Sequence, residues 1–238
     1  MKFKKIFKLI IGLVVFIILA SILFLGYLFF KYDEEIPHGN QGVEAEILAV
    51  KMLDALDYEA YKKTNYIEWT FKNRHHYKWK KDKNICSVYW KEYKVVLNLN
   101  NIEQSKAYVH SFVVKGDKER ELLEKAINYF NNDSFWLVAP YKIFDKGVER
   151  RIVTLENGLD ALLVTYTSGG STPGDSYLWI LNVKGKPISF KIWASSLPLK
   201  GLEASWNDWV TTKSGAQLPN FHKILFLGLE MGEVKGTE

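Results

Sequence analysis

The sequence predicts an α+β protein, in which a curved antiparallel sheet with two covering helices follows one N-terminal transmembrane helix. Three observations predict this fold class. An apolar run of 22 residues, at positions 9–30, lies near the start of the chain. Short segments of alternating apolar and polar residues then follow, with turn-forming residues between them. Only two later stretches, 43–60 and 117–131, have the periodicity of amphipathic helices.

The apolar run is long enough to cross a membrane as a helix. At about 1.5 Å per residue it extends roughly 33 Å, against about 30 Å for the hydrocarbon core of a bilayer. Four lysines precede it and acidic residues begin at Asp33, so residues 1–8 are predicted to be a cytoplasmic tail and the remainder to be exported. A cleaved secretory signal is the alternative, but its apolar core is shorter and ends at a small-x-small site that is missing here. We expect a single-pass protein of the inner membrane with a periplasmic or otherwise extracytoplasmic C-terminal domain.

The charge distribution argues against a nucleic-acid partner. The chain of 238 residues has 32 basic and 27 acidic side chains, a formal net charge of +5. Four of the basic residues lie among the first eight, which leaves 28 basic against 27 acidic side chains in the rest. The basic character therefore belongs mostly to the N-terminal tail. The single cysteine, Cys86, allows no internal disulfide and is predicted to be a small buried residue.

The remainder is predicted to be one domain at 43–238, joined to the membrane helix by a linker at 31–42. The helix at 43–60 has a clear apolar stripe, which consists of Leu48, Met52, Leu53 and Leu56. The helix at 117–131 has a second stripe, which consists of Leu122, Leu123, Ala126, Ile127 and Phe130. Each stripe indicates a helix with one face on the sheet.

Almost everything else is predicted to be antiparallel strand. The predicted strands are 66–72, 75–80, 85–90, 93–99, 108–114, 151–155, 160–166, 177–181 and 188–193. Asn157-Gly158 predicts a hairpin with a type I′ turn, which needs positive φ at both central residues. Nine or ten short strands with such turns predict a meander that curls into a barrel or a half-barrel. A closed small barrel would be filled by side chains, whereas an open sheet would leave a groove for a helix or a ligand.

A set of motifs spread over most of residues 43–230 resembles a known family. The motifs are Trp69-Thr70-Phe71, His75-His76-Tyr77-Lys78-Trp79, Val88-Tyr89-Trp90 and the segments 52–56, 60–61, 64–66, 131–142 and 171–175. Together they resemble an uncharacterised family of exported proteins of Bacteroidetes-type bacteria. That family is similar to the superfamily of the periplasmic lipoprotein carrier and its outer-membrane receptor (LolA and LolB). The resemblance implies a half-barrel with helices on its concave side, over an apolar cavity that holds acyl chains in the carriers. Those carriers have a cleaved signal or a lipid anchor, so the predicted transmembrane helix of this chain argues against a soluble shuttle.

The candidate ligand-binding residues are the side chains expected to line this cavity. Trp69 and Phe71 share one strand face, as do Tyr77 and Trp79, with lysines on the opposite face. The full predicted set is Trp69, Phe71, His75, Tyr77, Trp79, Tyr141, Asp175, Phe190 and Ile192. The loop at 167–175 is either a contact for a ligand headgroup near Asp175 or a simple hairpin connection. The apolar segment 135–141 is either a wall of the cavity or a buried strand that ends at Pro140.

No metal site, cofactor or catalytic centre is predicted. His75 and His76 are adjacent on a strand and point to opposite faces, so they cannot bind one ion together. The serines of the 167–175 loop lack the Gly-x-Ser-x-Gly context of a nucleophile. Asp133 and Asp145 flank the apolar segment, but nothing in the sequence sets two carboxylates face to face.

These observations favour a membrane-anchored extracytoplasmic domain that binds a lipid, a lipoprotein acyl chain or another apolar ligand without enzymatic activity. The alternative is a non-enzymatic interaction or scaffold module of an envelope complex, with a solid core and a protein partner. An envelope hydrolase is a third possibility, which would need a cluster of acid, base and nucleophile.

Overall fold

A computed structural model describes residues 2–168 and 173–238, which contain four α-helices and a 14-stranded antiparallel sheet. The helices are α1 (Lys2–Tyr32), α2 (Val43–Ala55), α3 (Tyr58–Lys63) and α4 (Asp117–Val138). The first strands are β1 (Tyr66–Phe71), β2 (His75–Lys80), β3 (Ile85–Trp90), β4 (Tyr93–Asn98), β5 (Lys106–Val109) and β6 (Phe112–Val114). The later strands are β7 (Val148–Thr154), β8 (Asp160–Tyr166), β9 (Ser176–Leu181), β10 (Pro187–Trp193), β11 (Leu202–Ser205), β12 (Asp208–Thr211), β13 (Gln217–Ile224) and β14 (Leu227–Thr237). Short 3-10 helices span Lys81–Lys83, Ile102–Gln104 and Ala139–Lys142.

The sheet consists of two meanders joined by the last strand. Its order is β6-β5-β4-β3-β2-β1-β14-β13-β11-β10-β9-β8-β7, and β12 pairs with β13 beside this path. β14 pairs with β1 from Tyr66↔Thr237 to Phe71↔Met231, so the C-terminal strand lies at the centre. The sheet is curved and open, with β6 and β7 at its edges. The predicted fold class is therefore confirmed.

Helix α4 packs across the concave face of the sheet and fills much of it. Phe130 contacts the rings of Trp69 and Trp79, with centroid distances of 6.5 and 5.4 Å. Near the other end of the helix, Trp136 lies 5.5 Å from the ring of Phe190. The predicted alternation holds, since Trp69 and Tyr77 are cross-strand partners whose rings stack at 4.4 Å. The hydrophobic core lies between this helix and the sheet.

Two predicted helices differ from the structure in where they end. The stretch 43–60 is interrupted at Asp57, which takes the left-handed conformation (φ 52°) and caps α3 by accepting a hydrogen bond from the Ala60 amide. Helix α4 continues past the predicted end at residue 131 as far as Val138. The segment 135–141 is therefore the end of a helix followed by a 3-10 turn, and the prediction of a buried strand there was wrong.

The strands differ in two places. The predicted strand 108–114 is two short strands, because His110 and Ser111 form a tight turn with positive φ (47° and 73°). Asn157-Gly158 does join β7 to β8, but of the two residues Gly158 alone has positive φ (77°), so the type I′ assignment was wrong. Strands β11 to β14 lie beyond the last predicted strand and complete the sheet.

Residues 33–41, within the predicted linker, are bound to the free edge of β7 and to the outer face of β10. Asn40 pairs with Ile152 through two backbone hydrogen bonds of 2.9 and 2.8 Å. Trp193 donates from its indole nitrogen to the Glu34 carbonyl at 2.8 Å. A second small apolar cluster lies on this outer face, and it consists of Val153, Ala161, Leu163, Leu178 and Trp193. The segment that follows α1 is therefore held against the domain.

Candidate functional site

A cavity of about 560 Å³ remains on the concave face, between the second half of α4 and strands β7 to β10. Its size lies within the usual range of about 300–1,000 Å³ for small-molecule sites. Farther along the concave face, the rings of Trp69, Trp79 and Phe130 pack together and leave no comparable space among the described residues. The short helix Ala139–Lys142 and the loop 194–200 form its sides.

The floor of the cavity is aromatic and aliphatic. Phe135 of α4 lies 4.6 Å from the ring of Tyr177 and 5.8 Å from that of Tyr166. Ile192 and Ala194 complete the floor from β10 and the residue after it, and both are buried. Burial raises the pKa of the Tyr166 and Tyr177 hydroxyls, which keeps both neutral. The floor is thus uncharged and suited to an apolar group.

The rim carries polar and charged side chains. Lys142 and Asp145 form an exposed ion pair at 3.0 Å, and Lys146 lies beside them. On the opposite side, buried Asp175 accepts a hydrogen bond of 2.9 Å from the Ser195 amide through Oδ1. This carboxylate thereby fixes the start of the loop 194–200 against β9. An apolar floor with a polar rim is the arrangement that an amphiphilic ligand requires.

Comparison with known proteins finds a distant similarity to a solved structure. No family model matches the chain, and no curated protein is similar to it. The crystal structure of a DUF1329 family protein from Desulfovibrio piger ATCC 29098 is similar, with a TM-score of 0.42 and 8% sequence identity. The alignment covers 81% of this chain and 92% of that chain. The resemblance to the lipoprotein carriers stays a prediction.

Two of the nine predicted ligand-binding residues line this cavity, namely Asp175 and Ile192. Four others, Trp69, Phe71, Tyr77 and Trp79, lie in the packed core under α4. Phe190 is also fully buried in that core, between Trp179 and Trp206. Tyr141 donates a hydrogen bond of 3.1 Å to the Leu56 carbonyl, and its ring stacks on Tyr61 at 3.9 Å. A role in ligand binding stays a prediction for all nine.

His75, the ninth residue, belongs to a buried polar cluster that holds α4 to β2. Its Nδ1 lies 2.7 Å from Oδ2 of Asp133, which also accepts a 2.5 Å hydrogen bond from the Tyr77 hydroxyl. Asn132 donates to the other carboxylate oxygen at 2.8 Å. Burial and the neighbouring Asp133 raise the pKa of Tyr77, so its hydroxyl stays a donor. Since both β2 side chains bond the same oxygen of an α4 residue, the cluster is a structural tie between helix and sheet.

A second buried tie involves His222 of β13. Its two ring nitrogens lie 2.7 Å from the carbonyl oxygens of Ser205 and Trp136. The ring is fully buried beside Trp206, at a centroid distance of 4.4 Å. Burial lowers the pKa of His222, although both carbonyls favour the protonated ring. This contact fixes the end of α4 that carries Phe135 and Trp136 into the cavity.

His76 points to the opposite face from His75, as the sequence predicts, and joins Glu68 and Glu233 on the outer side of the sheet. The ligating atoms of these three residues lie within 4.8 Å of one another. The Lys235 amino group lies 3.6 Å from Glu68 and 3.7 Å from Glu233. Its positive charge balances the carboxylates, so an ion-pair network accounts for the cluster.

Sequence reasoning missed most of the cavity wall. Phe135 and Trp136 lie in the segment for which a cavity wall was one of two interpretations, and both do line the cavity. Three cavity residues that lie at strand ends were missed, namely Tyr166, Tyr177 and Ala194. Alternation with period 2 identifies the buried face of a strand, but it does not show whether a cavity or a packed side chain faces a residue. A useful indication was the pair of aromatic residues, Tyr166 and Tyr177, on either side of the Gly- and Ser-rich loop.

Proposed function

We propose that this protein is a membrane-anchored binding domain whose cavity holds the acyl chain of an amphiphilic ligand. The observation that supports it is the cavity of about 560 Å³ with an apolar floor and a charged rim. At about 30 Å³ per water molecule, this volume equals roughly 19 waters. A methylene group is similar in size, so the cavity has room for on the order of a dozen carbons. Each buried CH₂ contributes about 0.8 kcal/mol, which makes such a chain sufficient for binding.

The anchor is α1, the one helix among the described residues that is long and apolar enough to span a membrane. Its side chains remain exposed along its length. We propose that the four lysines before residue 9 stay in the cytoplasm, and that the domain lies on the outer side of the inner membrane. In this arrangement the protein binds a ligand and does not convert it, because the buried histidines and Asp133 are engaged in structural ties.

Lipid mass spectrometry on the full-length protein tests this proposal. Lipids that co-purify with the wild type are compared with those on Ala194→Phe, whose new ring fills part of the cavity floor. Lipids around α1 are common to both proteins, so the difference reports the cavity. We expect a stoichiometric acyl-bearing species on the wild type and little of it on the variant. Identical lipid profiles would refute the proposal.

A second candidate function is an interaction module for another envelope protein. Helix α2 presents three exposed apolar side chains at helical spacing, Val43, Ile47 and Val50, which are 75%, 62% and 48% exposed. They border an open groove together with Val148 and Arg150. A photo-crosslinker at Ile47, compared with one at exposed Val183, tests it in cells. Capture of one stoichiometric protein by the first position alone would favour this function.

A further inference from the structure

The mouth of the cavity and the end of the membrane helix are held by the same loop. Asp33 directly follows the last residue of α1, and its Oδ1 accepts a 2.8 Å hydrogen bond from the Lys200 amide. The Glu34 amide donates to the Lys200 carbonyl at 3.0 Å, which makes the contact two-sided. Glu34 also pairs with Lys191 at 2.6 Å. The chain leaving the membrane is thus fixed to residue 200 within one residue of the helix end.

The approach between the two segments is close along its length. A side chain at Gly201 would place its Cβ 2.7 Å from that of Glu34, so glycine is required there for contact. Gly201 also has positive φ (76°), which glycine adopts without strain. The loop and the segment after the helix therefore pack as one unit.

The same loop is also hydrogen-bonded to residues that line the cavity. Lys200 donates from its amino group to the carbonyls of Ala194 and Leu197, at 2.5 and 3.1 Å. Ala194, Ser196 and Leu197 line the cavity, and Ser196 is exposed on its rim. Lys200 therefore links Asp33, through its backbone amide, to the cavity-lining residues Ala194 and Leu197, through its amino group.

This geometry has a consequence for where the ligand comes from. Aromatic residues mark the end of α1, at Phe29, Phe30 and Tyr32, and such residues favour the headgroup region of a bilayer. With Asp33 at that level, the loop 194–200 lies at the membrane surface. The hairpin 182–186, at the opposite end of β10, lies roughly 20 Å from this loop along the strand, at about 3.3 Å per residue.

Resting on the proposed function, we infer that the cavity takes its ligand directly from the membrane leaflet beside its mouth. The ligand class is then an acyl amphiphile that is a component of that leaflet, with its chain on the floor of Ile192 and Ala194. Its headgroup stays at the rim, where Lys146 and the Lys142–Asp145 ion pair offer polar contacts. The ligand leaves the bilayer without crossing water, which avoids the cost of exposing its chain.

The first test locates the mouth relative to the lipid surface. Cys86 is fully buried and burial raises the pKa of its thiol, so one introduced cysteine can be labelled selectively. Full-length Ser196→Cys and Val183→Cys carry a fluorophore in vesicles whose lipids bear a nitroxide on the headgroup. We expect strong quenching at position 196 and weak quenching at 183. Stronger quenching at position 183 would overturn the inference.

The second test measures loading. The reconstituted full chain takes up a dansyl-labelled fatty acid from its own vesicles or from separate vesicles. The double variant Asp33→Ala/Glu34→Ala removes the side-chain contacts to Lys200 and Lys191 and so loosens the loop from the anchor. Gln41→Ala, at a linker residue bonded to Glu149, is the matched control. We expect fast uptake from the same vesicles for wild type and control, and uptake slowed about tenfold or more for the double variant, with unchanged final occupancy.

The outcomes separate the two proposals. Equal uptake rates in wild type and double variant, with the probe bound in both, would overturn direct loading and leave the proposed function intact. If the wild type binds no probe while position 196 is strongly quenched, the proposed function fails, and the loading inference falls with it.

Discussion

If the cavity holds an acyl chain as proposed, filling its floor should shorten the chain that fits, and Ala194→Phe is the variant that tests this. Ala194 is nearly fully buried and lies beside Ile192, directly after β10. Its side chain borders the cavity of about 560 Å³. A phenyl ring at this position occupies the space that the end of the ligand chain would use.

The size of the effect follows from the volume. In the wild type, each added CH₂ should tighten binding by about 0.8 kcal/mol, which is about fourfold in Kd. The gain should stop when the cavity is full, at on the order of a dozen carbons. The phenyl ring removes about six carbon positions, so the longest chains should lose up to about 5 kcal/mol. Ordering of the ligand chain reduces both figures.

The assay is a titration of saturated fatty acids of increasing chain length, by displacement of a fluorescent fatty acid. For Ala194→Phe we expect the plateau to move to chains about six carbons shorter, while short chains bind as they do to the wild type. Val183→Phe is the control, because Val183 is 86% exposed at the far hairpin. Thermal unfolding of each variant checks that the fold is intact.

Two results would refute the reasoning. If affinity does not depend on chain length in the wild type, the apolar floor is not the binding surface. If Ala194→Phe and the control give the same plateau although both are folded, the chain lies elsewhere on the molecule.

Three further predictions concern the two buried ties and one close backbone approach in the domain. Asp133→Ala should lower the free energy of unfolding by about 3–5 kcal/mol, because it removes the buried partner of His75 and Tyr77. Asp117→Ala, at an exposed position of the same helix, is the control and should change this free energy little. Urea denaturation measures both. Burial lowers the pKa of His222 in the folded protein below its value in the unfolded chain, about 6.5. The stability that the neutral ring contributes is therefore complete above the unfolded pKa and is lost as the pH falls through the folded pKa, so the wild type should lose stability below about pH 6.5. Denaturation curves from neutral to mildly acidic pH give the free energy of unfolding as a function of pH. This free energy should fall less steeply for His222→Gln than for the wild type, and an equal slope would exclude His222 as the source of the loss. Gly185→Ala should lower the melting temperature, because the new Cβ would lie 2.9 Å from the Lys51 carbonyl oxygen and the φ of Gly185 is 91°. Gly158→Ala, with open space around the new Cβ, should lower the melting temperature less.

The parts of the fold predicted from sequence are those where one face is strongly apolar. In β1 and β2, Trp69 and Tyr77 alternate with polar residues, so period 2 identifies the strands and their buried face. In β13 and β14, glycines such as Gly228 and Gly232 and the proline Pro219 interrupt the alternation. Those strands form because the edge of β1 offers a partner, which is a tertiary effect that local pattern does not contain.

The end of α4 illustrates the same limit for helices. Asn131, Asn132 and Ser134 have weak helix propensity, which predicts an end near residue 131. The helix continues because Asp133 is hydrogen-bonded to Tyr77 of β2 and the Trp136 carbonyl to His222 of β13. These hydrogen bonds contribute more free energy than the weak helix propensity of the three residues costs. The cavity depends on this continuation, since Phe135 reaches the floor only if the helix extends. Most of the site therefore could not be predicted from local pattern, although its aromatic character could.

The central position of β14 has a consequence for how the chain is made. The six N-terminal strands pair with near neighbours in sequence and can form while synthesis continues. β1 finds its second partner only when residues 227–237 have emerged, since Tyr66 pairs with Thr237. A product that lacks those final residues would expose two unpaired edges, on β1 and β13, in the middle of the sheet. Such a fragment is a ready substrate for proteolysis or aggregation, so the sheet is protected only once β14 is in place.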